Sequence, residues 1–411
     1  MNFSFKEIIK SFLKIPIRIF RYFFIKPILF LFSQYRGIYF VRIFHSRLGH
    51  LALNTELFLR RKKLGLVKEN AFYVFLILES KKYPIANSFI ISMIERQGKV
   101  INGFLAKLFF ILVNRTKYLY DLSGFYMMSN EYLEFKNAPP TLNFTIEEER
   151  KGREILKDMG IHENDWFVCI FSRDNLYLET IEHDFTELNS QYHEYRNSHI
   201  DTYIDAVKFI IDNGGFVIRL GKIQAKKMNF RHPRFIDYPF SRFRSDFMDI
   251  YLNAKCKFVL TSPSGATDVA RIFDTPYCGV NSIPIDHAPF NKNAIFIPKK
   301  LKKRDTGKYL SLKSYLDIVA LAPDPFNDAL NSYFYDKNDI EIIDNSSKEI
   351  LDITKEMFDR LNGTFVESQK NIERQSKFQR IRYKSIRFSG INKTPIGRDF
   401  LEDNKWFLDE T

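Results

Sequence analysis

The strongest fold signal in the sequence is the run Phe258–Pro276, which reads FVLTSPSGATDVARIFDTP. An apolar strand ends at Thr261, a short polar loop follows, and a helix begins directly at Gly265. In open α/β sheets, ligands bind beyond the carboxyl ends of the strands, and a helix N-terminus there offers unpaired N–H groups to an anion. We therefore predict a strand–loop–helix unit of a parallel sheet, with its loop in a binding site.

Similar alternations of strand and helix flank this run on both sides and predict an α/β fold. The proline pair in Asn137–Phe144 predicts a linker between two Rossmann-like domains that face a cleft. We expect a basic segment at residues 1–34, an N-terminal domain at 35–143, a C-terminal domain at 144–345, and helices with a tail at 346–411. The predicted strands are residues 38–43, 71–78, 99–101, 166–171, 216–221, 234–239, 257–260, 276–280 and 294–298.

Composition is typical of a folded protein. The chain has 411 residues, 45% of them hydrophobic, and a net charge of +13, which suits about two globular domains. Its three cysteines stand far apart and show neither disulfide nor zinc spacing, which favours a reducing compartment. No apolar run reaches the roughly 20 residues of a bilayer span, so we expect no ordinary transmembrane helix.

Positive charge is concentrated at the N-terminus. Residues 1–63 hold 13 Lys/Arg and 2 acidic residues. In residues 1–34 the basic side chains recur every three to five positions among Phe and Leu, which is typical of a helix lying on an anionic membrane surface. The alternative is a helix docked on the protein's own core. We do not expect nucleic-acid binding, because no recognition motif accompanies the charge.

The loop after Leu260 has the chemistry of a phosphate site. Ser262, Ser264 and Thr267 supply hydroxyl groups, and Gly265 lets the backbone approach a ligand closely. The alternative is an ordinary turn in which Ser264 caps the helix, since serine is a preferred N-cap residue.

Two further strand ends carry arginine. Arg173 and Asp174 follow the strand at 166–171, and Arg219 lies at the end of the strand at 216–221, just before Gly221. The planar guanidinium binds phosphate with two hydrogen bonds, so we predict that these residues hold an anionic ligand with the Ser/Gly loop. The alternative is a structural salt bridge, for example from Arg219 to Asp174 or Asp237.

His50 is the candidate catalytic base, because it follows the first strand and imidazole titrates near neutrality. A capping or surface histidine is the alternative. We predict no metal, because no Asp-x-Asp pair occurs in the chain. The dinucleotide and P-loop motifs are also absent, which argues against a dinucleotide cofactor or a P-loop NTPase.

Several runs resemble a largely uncharacterised family of bacterial glycosyltransferases associated with surface-polysaccharide genes. The resemblance implies the GT-B group, in which a nucleotide-sugar lies between two Rossmann-like domains, and more distantly the fucosyltransferase-like subgroup. The runs are RLGHLALNTELFLRR (47–61), FTIEEERKGREILKDMGI (144–161), DWFVCIFSRD (165–174), YRNSHIDTYIDAVKFIIDNGGFVIRLG (195–221), FIDYPFSRFRSDFMDIYLNAKCKFVLTSPSG (235–265) and IGRDFLEDNKWFL (396–408).

Together these observations lead us to expect a metal-independent, hexosyltransferase-like enzyme on the cytoplasmic face of the membrane. It would use a nucleotide-sugar as co-substrate, need no other cofactor, and act on a glycan or lipid-linked acceptor. One alternative is a GT-B-fold sugar-nucleotide epimerase, which needs no lipid acceptor. Another is a non-enzymatic membrane-bound scaffold for polysaccharide assembly, which needs no cluster of Ser, Gly and Arg at the sheet edge.

Overall fold

The computed structural model describes residues 23–24, 27, 37–69, 71–124, 131–176, 180, 191–385 and 392–410. The chain divides into two compact units, residues 1–126 and 127–411. The boundary between the units lies after residue 126, before the linker that the sequence predicts at 137–144. Nearly all of the basic segment at 1–34 lies outside the described residues.

The first unit contains a four-stranded parallel sheet in the order β3-β2-β1-β4. The middle strands are continuous apolar runs, because a strand covered on both faces buries every side chain. Helix α1 is buried along most of its length, and its Glu56–Arg60 pair, 2.8 Å apart, is fully enclosed. The elements are β1 (Ile38–Arg42), α1 (Leu48–Lys63), β2 (Phe72–Ile77), α2 (Ser88–Glu95), β3 (Lys99–Asn102), α3 (Gly103–Val113) and β4 (Leu119–Asp121).

The second unit contains a six-stranded parallel sheet in the order β10-β9-β8-β5-β6-β7. An antiparallel pair, β11-β12, lies outside this sheet. The strands are β5 (Phe167–Phe171), β6 (Phe216–Arg219), β7 (Phe235–Asp237), β8 (Val259–Thr261), β9 (Tyr277–Ser282), β10 (Ile295–Pro298), β11 (Lys300–Lys303) and β12 (Ile340–Ile343). The helices are α4 (Glu131–Asn137), α5 (Ile146–Asp158), α6 (Ile204–Asp212), α7 (Asp246–Lys255), α8 (Gly265–Ile272), α9 (Leu312–Ala320), α10 (Ser332–Lys337), α11 (Ser347–Asn362), α12 (Gln369–Arg382) and α13 (Arg398–Asp403).

Local sequence signals set the ends of several helices. A capping box opens α5, since the Thr145 hydroxyl accepts from the Glu148 amide at 3.2 Å and the Glu148 carboxylate accepts from the Thr145 amide at 2.8 Å. Helix α11 ends at Gly363, which adopts a left-handed conformation (φ 74°) that favours glycine. The C-terminal helices α11, α12 and α13 pack on the core of the second sheet.

The prediction of two Rossmann-like α/β units is confirmed, because each unit contains a parallel sheet with helices packed against it. Three strands were not predicted: β4, β11 and β12. Among the described residues, no helix has the length and apolar character needed to cross a bilayer.

Candidate functional site

The candidate site lies at the carboxyl edge of the six-stranded sheet in the second unit. Strands β8, β5 and β6 are immediate neighbours, so the residues that follow them share one edge. The Arg173 amide donates to the Ser262 hydroxyl at 3.0 Å, which joins two of these strand ends directly. The sheet order therefore brings together Ser262, Arg173 and Arg219, which are far apart in the sequence.

The turn from β8 into α8 has the arrangement of a capping box between Ser264 and Thr267. The Thr267 amide donates to the Ser264 carbonyl at 3.1 Å, and the Ser264 amide donates to the Thr267 hydroxyl at 3.3 Å. The Ser264 hydroxyl is buried and has no hydrogen-bond partner in the described part of the chain. The Ser264 hydroxyl therefore faces the Thr267 amide as in a capping box, but it makes no hydrogen bond of ordinary geometry there.

Arg173 is 7% exposed and lies in a cluster of oxygen atoms. Its Nη1 donates to the Asn197 side-chain oxygen at 2.6 Å and to the His193 carbonyl at 3.0 Å. Asp174 accepts from the Ala225 amide at 3.1 Å, so it ties the loop after β5 to the loop after β6. These contacts hold the Arg173 backbone and guanidinium at the sheet edge.

Arg219 makes the salt bridge to Asp237 that the sequence left as an alternative. It is 2% exposed, and its Nη1 lies 3.3 Å from the Asp237 carboxylate. Its Nη1 also donates to the Lys226 carbonyl at 2.7 Å, and its Nη2 donates to the Gln224 side chain at 2.9 Å. Burial lowers the pKa of the Arg219 guanidinium, and the Asp237 carboxylate opposes that shift. Through its hydrogen bonds to Gln224 and Lys226, Arg219 stabilises the loop after β6.

Gly221 explains why this loop bends where it does. Its φ of 145° lies in the region that side chains rarely adopt, and a Cβ atom there would come within 2.8 Å of the Gln224 side chain. Gln224 is the residue that holds Arg219, so Gly221 is required by the geometry of the loop.

Lys299 belongs to the same edge, and sequence reasoning missed it. It follows β10, is 2% exposed, and donates to the Asn197 carbonyl at 2.6 Å. Its ion pair with Asp344 is 2.7 Å long. Burial lowers the pKa of the Lys299 ammonium, with Asp344 opposing and Arg173 contributing to the decrease. The Lys-Lys pair directly after the apolar run Ala294–Pro298 was the signal that could have found it.

Asn197 therefore connects two cations through different atoms, Arg173 through its side chain and Lys299 through its carbonyl. Arg196, the preceding residue, has a buried Nε without a hydrogen-bond partner among the described residues. It interacts electrostatically with Asp268 on α8; burial raises the pKa of the Asp268 carboxyl, and Arg271 and Arg196 counteract the increase. The edge thus combines cations, helix N–H groups and an unpartnered hydroxyl, which is the chemistry of an anion site.

The first unit contains the candidate base His50 and the carboxylate Asp121. His50 lies in the first turn of α1, with its ring 4.7 Å from that of Phe44. Asp121, at the end of β4, is 3.0 Å from Arg42. Although partial burial alone would raise the pKa of Asp121, hydrogen bonds from Ser123 and the Arg42 charge lower it overall.

No group of three or more His, Cys, Asp or Glu residues that could hold a metal ion occurs within the described ranges. His193 lies in the short 3₁₀ helix Gln191–Arg196.

No protein-family model matches this sequence, and no curated protein matches it either. Solved structures with some likeness include the glycosyl transferase family 9 protein from Veillonella parvula, at 12% identity and a TM-score of 0.39, covering 63% of this chain and 85% of that one. ADP-heptose LPS heptosyltransferase II of E. coli is 12% identical with a TM-score of 0.35, and the match covers 73% of this chain and 99% of that one. An E. coli heptosyltransferase with ADP is 9% identical with a TM-score of 0.32, and the match covers 63% of this chain and 92% of that one. Likeness at this level assigns no activity or substrate to the chain.

Proposed function

We propose that this protein is a glycosyltransferase that moves a sugar from a nucleotide-sugar donor to a lipid-linked surface-glycan acceptor without a metal ion. The observation that carries the proposal is the anion site at the carboxyl edge of the second sheet. There, the unpartnered Ser264 hydroxyl and the N-terminus of α8 lie at the end of β8, and Arg173 lies at the end of the neighbouring β5.

The donor diphosphate would bind at the start of α8. Gly265, the first residue of α8, places its backbone N–H group at this position, and a helix N-terminus stabilises negative charge without a charged side chain. Arg173 and Lys299 add positive charge from the β5 and β10 ends. Charge grows on the diphosphate as the glycosidic bond to the sugar breaks, so prearranged positive groups favour the transition state over the ground state.

The individual residues divide into two roles. Ser264, Gly265 and Arg173 would touch the diphosphate. Ser262 would position Arg173 through the hydrogen bond to its amide, and Thr267 would position Ser264. Arg219, Asp174 and Gly221 would shape the loop after β6 and act on the donor only through that loop.

The acceptor hydroxyl needs a base, and we assign this role to His50 in the first unit. Asp121 is the competing carboxylate, but Arg42 and Ser123 lower its pKa, so it holds a proton poorly. Imidazole has an ordinary pKa near neutrality, which suits proton removal from a sugar hydroxyl as the new bond forms.

We further propose that the protein is peripheral on the inner face of the cytoplasmic membrane. The support is the composition of residues 1–34, where Lys and Arg alternate with Phe and Leu. A lipid-linked acceptor is held in the membrane, so an enzyme on the same surface meets it at high local concentration.

The test of the activity has two stages. A panel of UDP-, GDP-, dTDP-, ADP- and CMP-sugars is first screened for an increase in melting temperature, since a ligand that binds only the folded state stabilises it. The best donor, radiolabelled in its sugar, is then incubated with the full chain and a bacterial lipid extract. Label in the lipid fraction supports transfer. Label confined to an isomeric nucleotide-sugar supports the epimerase, and no binding at all supports the scaffold.

A further inference from the structure

Helix α3 has an apolar face that the described residues of the first unit leave exposed. Ala106 and Val113 are buried, and Phe109 and Phe110 pack against the core of that unit. Four large apolar side chains of the same helix remain exposed: Phe104 at 78%, Leu105 at 56%, Leu108 at 44% and Ile111 at 46%. Three of them, at positions 104, 108 and 111, follow the spacing of four and three residues that places side chains on one helix face.

The length of α3 excludes a bilayer span. Its 11 residues extend about 16 Å at 1.5 Å per residue, whereas the hydrocarbon core is about 30 Å thick. An exposed apolar face on so short a helix is suited to lie in the plane of a membrane interface.

The charges around this face identify the surface that it fits. Lys107 is exposed on the helix itself, Lys99 is exposed just before it, and Arg115 and Lys117 are exposed just after it. The chain has no acidic residue from position 96 to position 120. The acidic neighbour at the start of the helix is Glu79, whose carboxylate accepts from the Asn102 side chain at 2.6 Å. An apolar stripe flanked along the chain by these cations is complementary to a bilayer with anionic headgroups, because the acyl boundary takes the apolar side chains and the phosphates take the cations.

We propose that α3 docks on the surface of an anionic bilayer. Phe104, Leu105, Leu108 and Ile111 enter the acyl boundary, and Lys107 lies among the headgroups. This contact is additional to that of residues 1–34. The contact would bring the enzyme to its lipid-linked acceptor, so its biological role rests on the proposed function. The experiment that tests the contact does not depend on donor binding.

The test compares the full-length protein with the double variant Phe104→Glu/Leu108→Glu. The matched control is Ile146→Glu/Leu321→Glu, which places the same charges at side chains 83% and 87% exposed in the second unit. Co-sedimentation is measured with vesicles of phosphatidylcholine alone and of phosphatidylcholine with phosphatidylglycerol, at low and high salt. Residues 1–34 are present in every protein, so a difference between the two variants reports on α3.

We expect the wild type and the control to bind anionic vesicles equally. We expect the α3 variant to bind anionic vesicles more weakly by a factor of about ten or greater, because two apolar side chains are no longer transferred from water into the membrane. The difference persists at high salt, where the electrostatic attraction of residues 1–34 is screened.

Three results would overturn the proposal: equal vesicle binding by the two variants, no vesicle binding by the wild type, or equal wild-type binding to neutral and anionic vesicles. A dimeric wild type whose α3 variant is monomeric, with vesicle binding unchanged, would instead assign the face to a second copy of the chain. Circular dichroism verifies that both variants fold. The melting-temperature shift with a nucleotide-sugar is measured separately, so a failure of the donor site leaves the vesicle result unaffected.

Discussion

Replacing Ser264 by alanine separates a ligand site from a plain capped turn. The Ser264 hydroxyl is buried and makes no hydrogen bond of ordinary geometry within the described residues, so its removal breaks no well-formed hydrogen bond there. An N-cap serine whose hydroxyl is used costs about 0.5–2 kcal/mol when replaced by alanine. Ser264→Ala should therefore leave the melting temperature almost unchanged.

The same change should weaken donor binding. A hydrogen bond to a charged group contributes about 1.5–3 kcal/mol, which corresponds to a roughly 10- to 150-fold increase in Kd. The assay is isothermal titration with the nucleotide-sugar that raises the melting temperature of the wild type most. Gly265→Val should weaken binding further, because a branched side chain at the first residue of α8 blocks the approach of the phosphate to the backbone.

Ser368→Ala is the matched control. The Ser368 hydroxyl caps α12 and accepts from the Asn371 amide at 3.2 Å, far along the chain from the donor loop. This variant should lose roughly 2–4 °C in melting temperature per kcal/mol of lost capping and keep its donor affinity. The reasoning is refuted if Ser264→Ala melts lower by as much as Ser368→Ala while donor affinity stays at the wild-type value.

Two further predictions follow from buried charges. Arg219→Ala should lower the free energy of unfolding by about 3–5 kcal/mol because it leaves the Asp237 carboxylate without its 3.3 Å partner. Urea denaturation measures this change. The control, Lys208→Ala, removes an exposed ion pair with Asp205 and should change the free energy of unfolding by no more than about 1 kcal/mol. Burial raises the pKa of Asp268 above its ordinary value of 3.8, so the folded state binds the proton more tightly and the group destabilises the fold as pH rises through the raised pKa. Asp268→Asn removes this destabilising ionisation, so the free energy of unfolding of the variant relative to wild type should increase with pH. A difference that is constant from pH 3 to the neutral range would contradict a raised pKa at Asp268.

Apolar runs and capping residues were sufficient to predict most of the secondary structure. Five of the six strands of the second sheet (β5, β6, β8, β9 and β10) are marked because a parallel strand covered on both faces buries nearly every side chain, which produces short continuous apolar runs. The capping box at Thr145 and the helix end at Gly363 are also local, since each depends on residues within a few positions. Strand β4 escaped prediction because Leu119–Asp121 is too short to show a pattern. Strands β11 and β12 escaped because each is only four residues long with a single buried residue, and β11 (KLKK) is mostly charged, so neither forms a buried apolar run.

The loop at Ser262–Gly265 and the arginines after β5 and β6 could be selected from sequence because carboxyl ends of parallel strands meet at one edge. Their separate roles could not, because each depends on partners brought close only by folding. The tertiary structure decides that Arg219 pairs with Asp237, that Asn197 links Arg173 with Lys299, and that the Ser264 hydroxyl has no partner within the described residues. Hydrogen bonds and ion pairs act over about 3 Å, so the sequence indicates which groups can bind an anion, and only the fold determines which of them remain available to do so.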